Sequence, residues 1–288
     1  MIHAMNPMDP ANMISWVEEA PEDQREFREA VHVILSAITH DPELRGSMVM
    51  KGGILMGIRY HSPRFTSDID FSSKSPLSEL DPETIRKKLD SGMAVASTRF
   101  DYDLDCRVQS CKVNPPNRPE ASFPSIELRI GHAYKGTAKH QRLMQGQSPS
   151  VVSIDLSLNE LILEVENLNI DGGDGLRAYS LNDLVAEKIR SLLQQVVRNR
   201  FRRQDVYDLN LLLAQERERM DLPAILECLR NKASSRGIDV GVDSLDHPEI
   251  RERAKEEYHT LADEVEGSLP DFDAAYENLI RFYKSLPW

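Results

Sequence analysis

The chain is short of cysteine, of long apolar runs and of positive charge, and each shortage closes off a class of function. Cys106, Cys111 and Cys228 are the only cysteines in 288 residues. Their odd number and their spacing fit neither a disulfide framework nor a zinc site, so all three read as packing residues. The longest apolar stretches, such as that around Leu161 to Leu163, are far shorter than the ~20 residues a bilayer span requires. No basic region leads into an apolar block between Met1 and Asn12, so no secretory signal is expected, and the chain reads as cytoplasmic with no membrane partner. Lys and Arg number 35 against 47 Asp and Glu, a net charge of −12, which disfavours indiscriminate attraction to nucleic acid. A polyanionic partner would have to meet a local basic patch.

What is present points to two domains, because the length exceeds what one core usually serves. Phe27, Val31, Ile34 and Leu35 recur at helical spacing between Pro21 and Thr39, with acidic residues in the first turn, and predict an amphipathic helix. Ile54, Leu55, Met56 and Ile58 predict a short helix with Gly52 and Gly53 at its start. Residues 67–72 alternate polar and apolar and read as a strand, and residues 100–108, 125–132 and 151–157 are further strand candidates. The composition changes near Asp171–Gly175, and beyond Ser180 the period is helical almost throughout. The expected class is therefore α/β, a mixed sheet with flanking helices over 1–174, followed by an α-helical domain over 175–288.

Residues two apart on a strand face the same way, so Asp68 and Asp70 project together while Ile69 and Phe71 point to the core. Two converging carboxylates repel unless a cation lies between them, and a hard divalent ion such as Mg²⁺, or Mn²⁺ in its place, suits them. The bare spacing is weak: Asp101, Asp103 and Asp105 share it and read as the solvated face of a strand. What singles out Asp68 and Asp70 is the Gly52-Gly53 pair upstream, where bare backbone N–H groups can cradle phosphates. Asp155, between Ile154 and Leu156, is the candidate for a third carboxylate. Glu127, between Ile126 and Leu128, has the same local pattern, and both also fit the polar face of a sheet edge.

Ser180 suits a helix N-cap, and Leu181, Leu184, Val185, Ile189 and Leu192 follow at helical spacing. Lys188 falls inside that apolar stripe. Either its stem snorkels and its head meets a carboxylate, or the ammonium serves to bind phosphate. Asp205 and Asp208 lie on one helical face, with an N-cap as the alternative role for Asp205. Arg190, Arg198, Arg200, Arg202 and Arg203 form the densest positive cluster, a solvated helix end or a phosphate-binding patch.

Three blocks of the chain resemble the AbiEii/AbiGii nucleotidyltransferase toxins. The first runs from Lys51, Gly52 and Gly53 to Arg64, Phe65, Thr66, Ser67, Asp68, Ile69 and Asp70. The second holds Ala186, Glu187 and Lys188, and the third is Arg203, Gln204, Asp205, Val206, Tyr207, Asp208 and Leu209. Ile54 departs from the pattern, standing where the family usually has Ser or Thr. The resemblance implies a nucleotidyltransferase-type sheet and Mg²⁺ held by Asp68 and Asp70. It implies nucleotide binding by Lys51, Gly52, Gly53, Arg64 and Asp208, and a site that Lys188 and Asp205 from the helical domain complete. It further implies a toxin of a toxin–antitoxin or phage-defence pair, with a cognate antitoxin and an RNA acceptor, transfer RNA 3′ ends being the best-known class. A protein or small-molecule acceptor, or an inactive nucleotide-binding subunit, are the alternatives.

Overall fold

The structure is a computed structural model, and it describes residues 13–118, 120–170 and 175–288. By contact density the chain forms two units. The first comprises residues up to Arg59, Ser67–Glu160 and Val165–Ala178; the second comprises Tyr60–Thr66, Leu161–Glu164 and Tyr179–Trp288. The composition change near 171–174 and the N-terminal stretch Met1 to Asn12 lie outside the described residues.

In chain order the first unit contains α1 (Met13–Glu18), α2 (Glu22–His40), α3 (Pro42–Ser47), β1 (Val49–Lys51), α4 (Gly52–Tyr60), β2 (Asp68–Ser72) and α5 (Pro82–Ala96). It continues with β3 (Leu104–Asn114), β4 (Ser125–Tyr134), α6 (Ala138–Met144), β5 (Val151–Ser157), β6 (Val165–Leu168) and β7 (Leu176–Tyr179). The strands form one seven-stranded mixed sheet in the order β3-β4-β5-β2-β1-β7-β6. β2 runs parallel to β5 and β1 parallel to β7, whereas β1 with β2, β3 with β4 and β4 with β5 are antiparallel. Ile69, Phe71, Ile126, Leu128, Ile154 and Leu156 are all fully buried on the core face of the sheet.

The helix expected over 21–39 forms as α2, and its residues 29–39 are buried on every side, the polar Glu29, His32, Ser36 and Thr39 among them. One expectation is corrected. The strand expected over 100–108 is displaced to 104–114. Asp103 takes a left-handed φ of 51°, which breaks the extended run before Leu104, and pairing with β4 carries the strand on to Asn114. Asp101 and Asp103 therefore lie in a turn rather than on a strand face, and Asp105 is engaged by His140 at 2.8 Å.

The second unit holds α7 (Leu181–Gln194), α8 (Arg203–Glu216), α9 (Leu222–Ser235), α10 (Pro248–Lys255) and α11 (Phe272–Lys284). Ser180 caps α7, its hydroxyl accepting from the Asp183 N–H at 3.1 Å. The Asp183 carboxylate then accepts from the backbone N–H groups of Leu163 and Glu164 at 3.1 and 3.4 Å. Lys232, buried on α9, pairs with Asp183 at 2.8 Å and donates to the Leu161 carbonyl at 2.8 Å. These bonds secure the 161–164 segment to the unit. The 60–66 segment is held differently: Phe65 N–H donates to the Glu264 carbonyl at 2.7 Å, and Glu266 N–H donates to the Pro63 carbonyl at 3.1 Å. Among the described residues, no helix is long and apolar enough to cross a membrane.

Candidate active site

On the face of the sheet opposite its core, sequence alternation and strand register set charged side chains in one row. Lys51 pairs with Asp70, Asp70 with Asp155, Asp155 with Glu127, and Glu127 with Lys112. Cross-strand partners share a face, so three carboxylates lie side by side between two lysines. Asp68 follows on the same face two residues along β2. It is exposed, and Asp70 and Asp155 are half-buried.

Gly52 stands against this row. Its φ is 77°, and a Cβ placed on it would lie 1.9 Å from Asp70 Oδ2. Only glycine both adopts that backbone conformation cheaply and leaves the carboxylate its space. Lys51 donates to the Ser157 hydroxyl at 3.3 Å. Burial pushes the Asp155 carboxyl above its ordinary pKa and the neighbouring Glu127 charge adds to this, while Lys51 opposes it. Asp155 Oδ1 is buried without a hydrogen-bond partner. Glu127, the alternative third carboxylate, is instead engaged by Asn114 at 3.2 Å.

The first unit thus brings Lys51, Gly52, Asp68, Asp70 and Asp155 to one surface, with Gly53 beginning α4 beside them. Among the described residues no group of three or more His, Cys, Asp or Glu side chains is placed to hold a metal ion. Ile54 is buried in the core.

The second unit gathers the other named residues into a buried ion network. Lys188 Nζ lies 2.7 Å from Asp208 and 3.3 Å from Asp205. Arg64 donates to both oxygens of Asp208, Nε and Nη2 each at 3.0 Å. Burial alone would raise the Asp208 carboxyl, but Lys188 and Arg64 override it and hold the group below the usual range. Burial likewise opposes the Lys188 ammonium, and the two carboxylates more than compensate. Asp205 lies in the first turn of α8, whose N-cap is Arg202, so the N-cap role for Asp205 is excluded. Its Oδ2 is buried with no hydrogen bond.

Glu264 had no local signal in the sequence. It pairs with Arg203 at 2.8 Å and lies 3.7 Å from Arg64. The arginine cluster is divided by these contacts: Arg190 is buried with Glu187 and Gln194, and Arg202 Nε lies 3.7 Å from Asp205. Arg198 and Arg200 are exposed on the segment between α7 and α8.

Two solved structures from H. pylori share the fold. JHP933 is 14% identical at a TM-score of 0.51, covering 93% of each chain. A proposed nucleotidyltransferase from the same organism is also 14% identical at a TM-score of 0.51, with 93% of this chain and 96% of that chain covered. No curated protein matches the sequence. Residues 33–278 match the nucleotidyl transferase AbiEii toxin family, type IV TA system. Since that match spans most of the chain, including the sheet, the carboxylate row and the ion network, the protein belongs to the AbiEii nucleotidyltransferase toxin family.

Proposed function

We propose that this nucleotidyltransferase moves a nucleoside monophosphate from a nucleoside triphosphate to a 3′ hydroxyl of RNA, in a reaction that requires Mg²⁺ or Mn²⁺. The observation that carries the proposal is the register pairing of Asp70 with Asp155, with Gly52 pressed against Asp70. These residues fit a divalent cation: the donors are hard oxygens, the like charges repel without a counter-ion, and glycine keeps space beside Asp70. Mg²⁺ is commonly held by one or two carboxylates plus substrate phosphates, which accords with an open carboxylate row. Asp68 and Asp70 would hold it, and when bound it supplies a Lewis acid that polarises a phosphoryl oxygen.

In this reading the N–H groups of Gly52 and Gly53, at the start of α4, bind the outer phosphates, and Lys51 adds positive charge at the same edge. Asp155 orients the acceptor: its unpartnered Oδ1 receives the hydrogen bond of the attacking hydroxyl. A carboxyl whose pKa is raised by burial is also the better proton acceptor. The bond from the acceptor's hydroxyl oxygen to the α-phosphorus forms as the bond to pyrophosphate breaks, and the hydroxyl proton passes to the Asp155 carboxylate. Lys188 and Asp205 are proposed as further residues required for transfer, with Asp208, itself fixed by Arg64, holding Lys188 in position.

Membership of a type IV toxin–antitoxin family brings an antitoxin partner, and nucleotidyl transfer uses a nucleoside triphosphate. The exposed Arg198 and Arg200 favour an RNA acceptor and a role in phage defence or toxin action on RNA. The net charge of −12 favours the second reading, a protein or small-molecule acceptor. Incubation with each labelled nucleoside triphosphate, total RNA and total protein separates the two. Label on RNA that depends on a divalent ion and disappears in Asp70→Ala is the expected result, and label on protein alone would overturn the RNA assignment.

A further inference from the structure

The segment joining α7 to α8 carries a feature that folding alone does not require. Phe201 is 52% exposed and Val197 75% exposed, and they bracket the exposed Arg198 and Arg200. A phenyl ring left half in water keeps apolar area that a partner could still bury, and here it sits among cations.

The segment is also not slack. Backbone N–H groups of Arg198 and Arg200 donate to the Gln194 and Gln195 carbonyls at 3.0 and 2.9 Å. Asn199 makes the reversal with a left-handed φ of 49°, a conformation asparagine tolerates. Its side chain accepts from Arg253 at 3.0 Å, and Arg253 is fixed a second time by Glu249 at 2.9 Å. The Arg253 guanidinium so anchored lies 5.9 Å from the centre of the Phe201 ring. An aromatic ring braced by a fixed cation and flanked by arginines has the make-up of a stacking platform for single-stranded nucleic acid, in which a base lies on the ring and the cations meet its phosphates.

We infer that Phe201 is the base-stacking residue for a single-stranded RNA acceptor, with Arg198 and Arg200 contacting flanking phosphates and Arg253 positioning the ring. The inference rests on the RNA-acceptor reading above and names how that acceptor is gripped. Stacking is tolerant of sequence because every base has a π-face, so the platform would select for unpaired bases over duplex rather than for a particular base.

The test uses the full chain and a short unstructured fluorescein-labelled oligoribonucleotide, alone and annealed to its complement, with binding measured over a range of salt. Wild type should prefer the single strand. Phe201→Ala and Phe201→Leu should each weaken it by about 5- to 100-fold, the scale of one lost base–aromatic stack, while Phe201→Trp should retain it. The salt dependence should be unchanged in the Phe201 variants and flatter in Arg198→Ala/Arg200→Ala, which removes released counter-ions. Melting curves on each variant confirm that the fold is retained.

Equal binding by Phe201→Leu and wild type would overturn the inference and leave the patch as a protein-contact surface. Duplex binding as tight as single-strand binding, or no binding of the strand by wild type, would overturn it too. Failure here is distinct from failure of the transfer reading. Label arriving on RNA with the Phe201 variants indistinguishable from wild type sinks only the platform, whereas label arriving only on protein sinks the acceptor.

Discussion

The carboxylates on the sheet of the first unit and those on α8 of the second are the same chemical group in opposite conditions. Asp70 and Asp155 sit side by side, half-open to solvent, and Asp155 has a buried oxygen with nothing to bond. Asp208 is wholly buried, but two cations hold it ionised. The difference lies in where the compensating charge originates. The α8 site carries its cations within the polypeptide, so it contributes rigidity. The sheet site leaves part of the compensation to come from outside, as the proposed binding of an ion and a polyphosphate would require.

Breaking the internally compensated side should have the largest effect. Lys188→Met leaves two buried carboxylates, Asp208 with Arg64 and Asp205 with the more distant Arg202, and losing one partner of a buried pair typically costs about 3–5 kcal/mol. A melting curve checks this, and an unchanged Tm would show that the network adds nothing to the fold. On the open side, Asp70→Ala should cut transfer by about 10²-fold or more while the Tm stays near that of wild type. A parallel fall in stability would place Asp70 with Asp208 in the structural class.

Gly52→Ala tests both properties at once. The left-handed backbone costs about 1–2 kcal/mol with any Cβ, and the new atom would push Asp70 aside. Activity should therefore drop by more than the small loss in Tm explains, as a transfer assay and a melt on one preparation would reveal.

The smallest effect concerns pH, where the two sites lean in opposite directions. The Asp155 pKa is raised on folding, so its ionised form costs stability at neutral pH and that cost is relieved as the pH falls through the folded-state value. The Asp208 pKa is lowered, so its contribution is complete above the ordinary aspartate range and is lost as the pH falls through the depressed value. Asp155→Asn should accordingly raise the Tm at neutral pH by about 1–2 °C, with the gain shrinking to nothing in acid. A lower Tm at neutral pH in that variant would contradict an incompletely compensated carboxylate on the sheet.

Much of this comparison could be read from local sequence, because local periods reveal local structure. The alternation around Ile69 and Phe71 located β2, and that around Ile154 and Leu156 located β5. The three- and four-residue strands β1, β6 and β7 are too short to display a period, and they were missed. The row itself depends on β5 returning to lie against β2, which no spacing within either segment records. Lys188 stood out as an ammonium in an apolar stripe, but its engagement by both Asp205 and Asp208, and the approach of Glu264 to Arg64, depend on how α8 and a distant turn pack. Phe201 gave no pattern at all, since a single aromatic in a charged loop is invisible until its exposure is known.

The bond between Arg64 and Asp208 spans 144 positions of the chain. At ordinary translation rates of about 5–20 residues per second, Arg64 therefore waits several seconds or more for its partner to be made. Until then the 60–66 segment lacks the carboxylate that fixes it, and the Glu264 carbonyl that accepts from Phe65 is synthesised later still. A nascent or prematurely terminated chain that reaches past Ser157 but not to Asp208 would carry the residues of the complete carboxylate row without the anchored Arg64. For a toxin, this places completion of the ion network late in synthesis, so the unfinished product is a different chemical object from the released one.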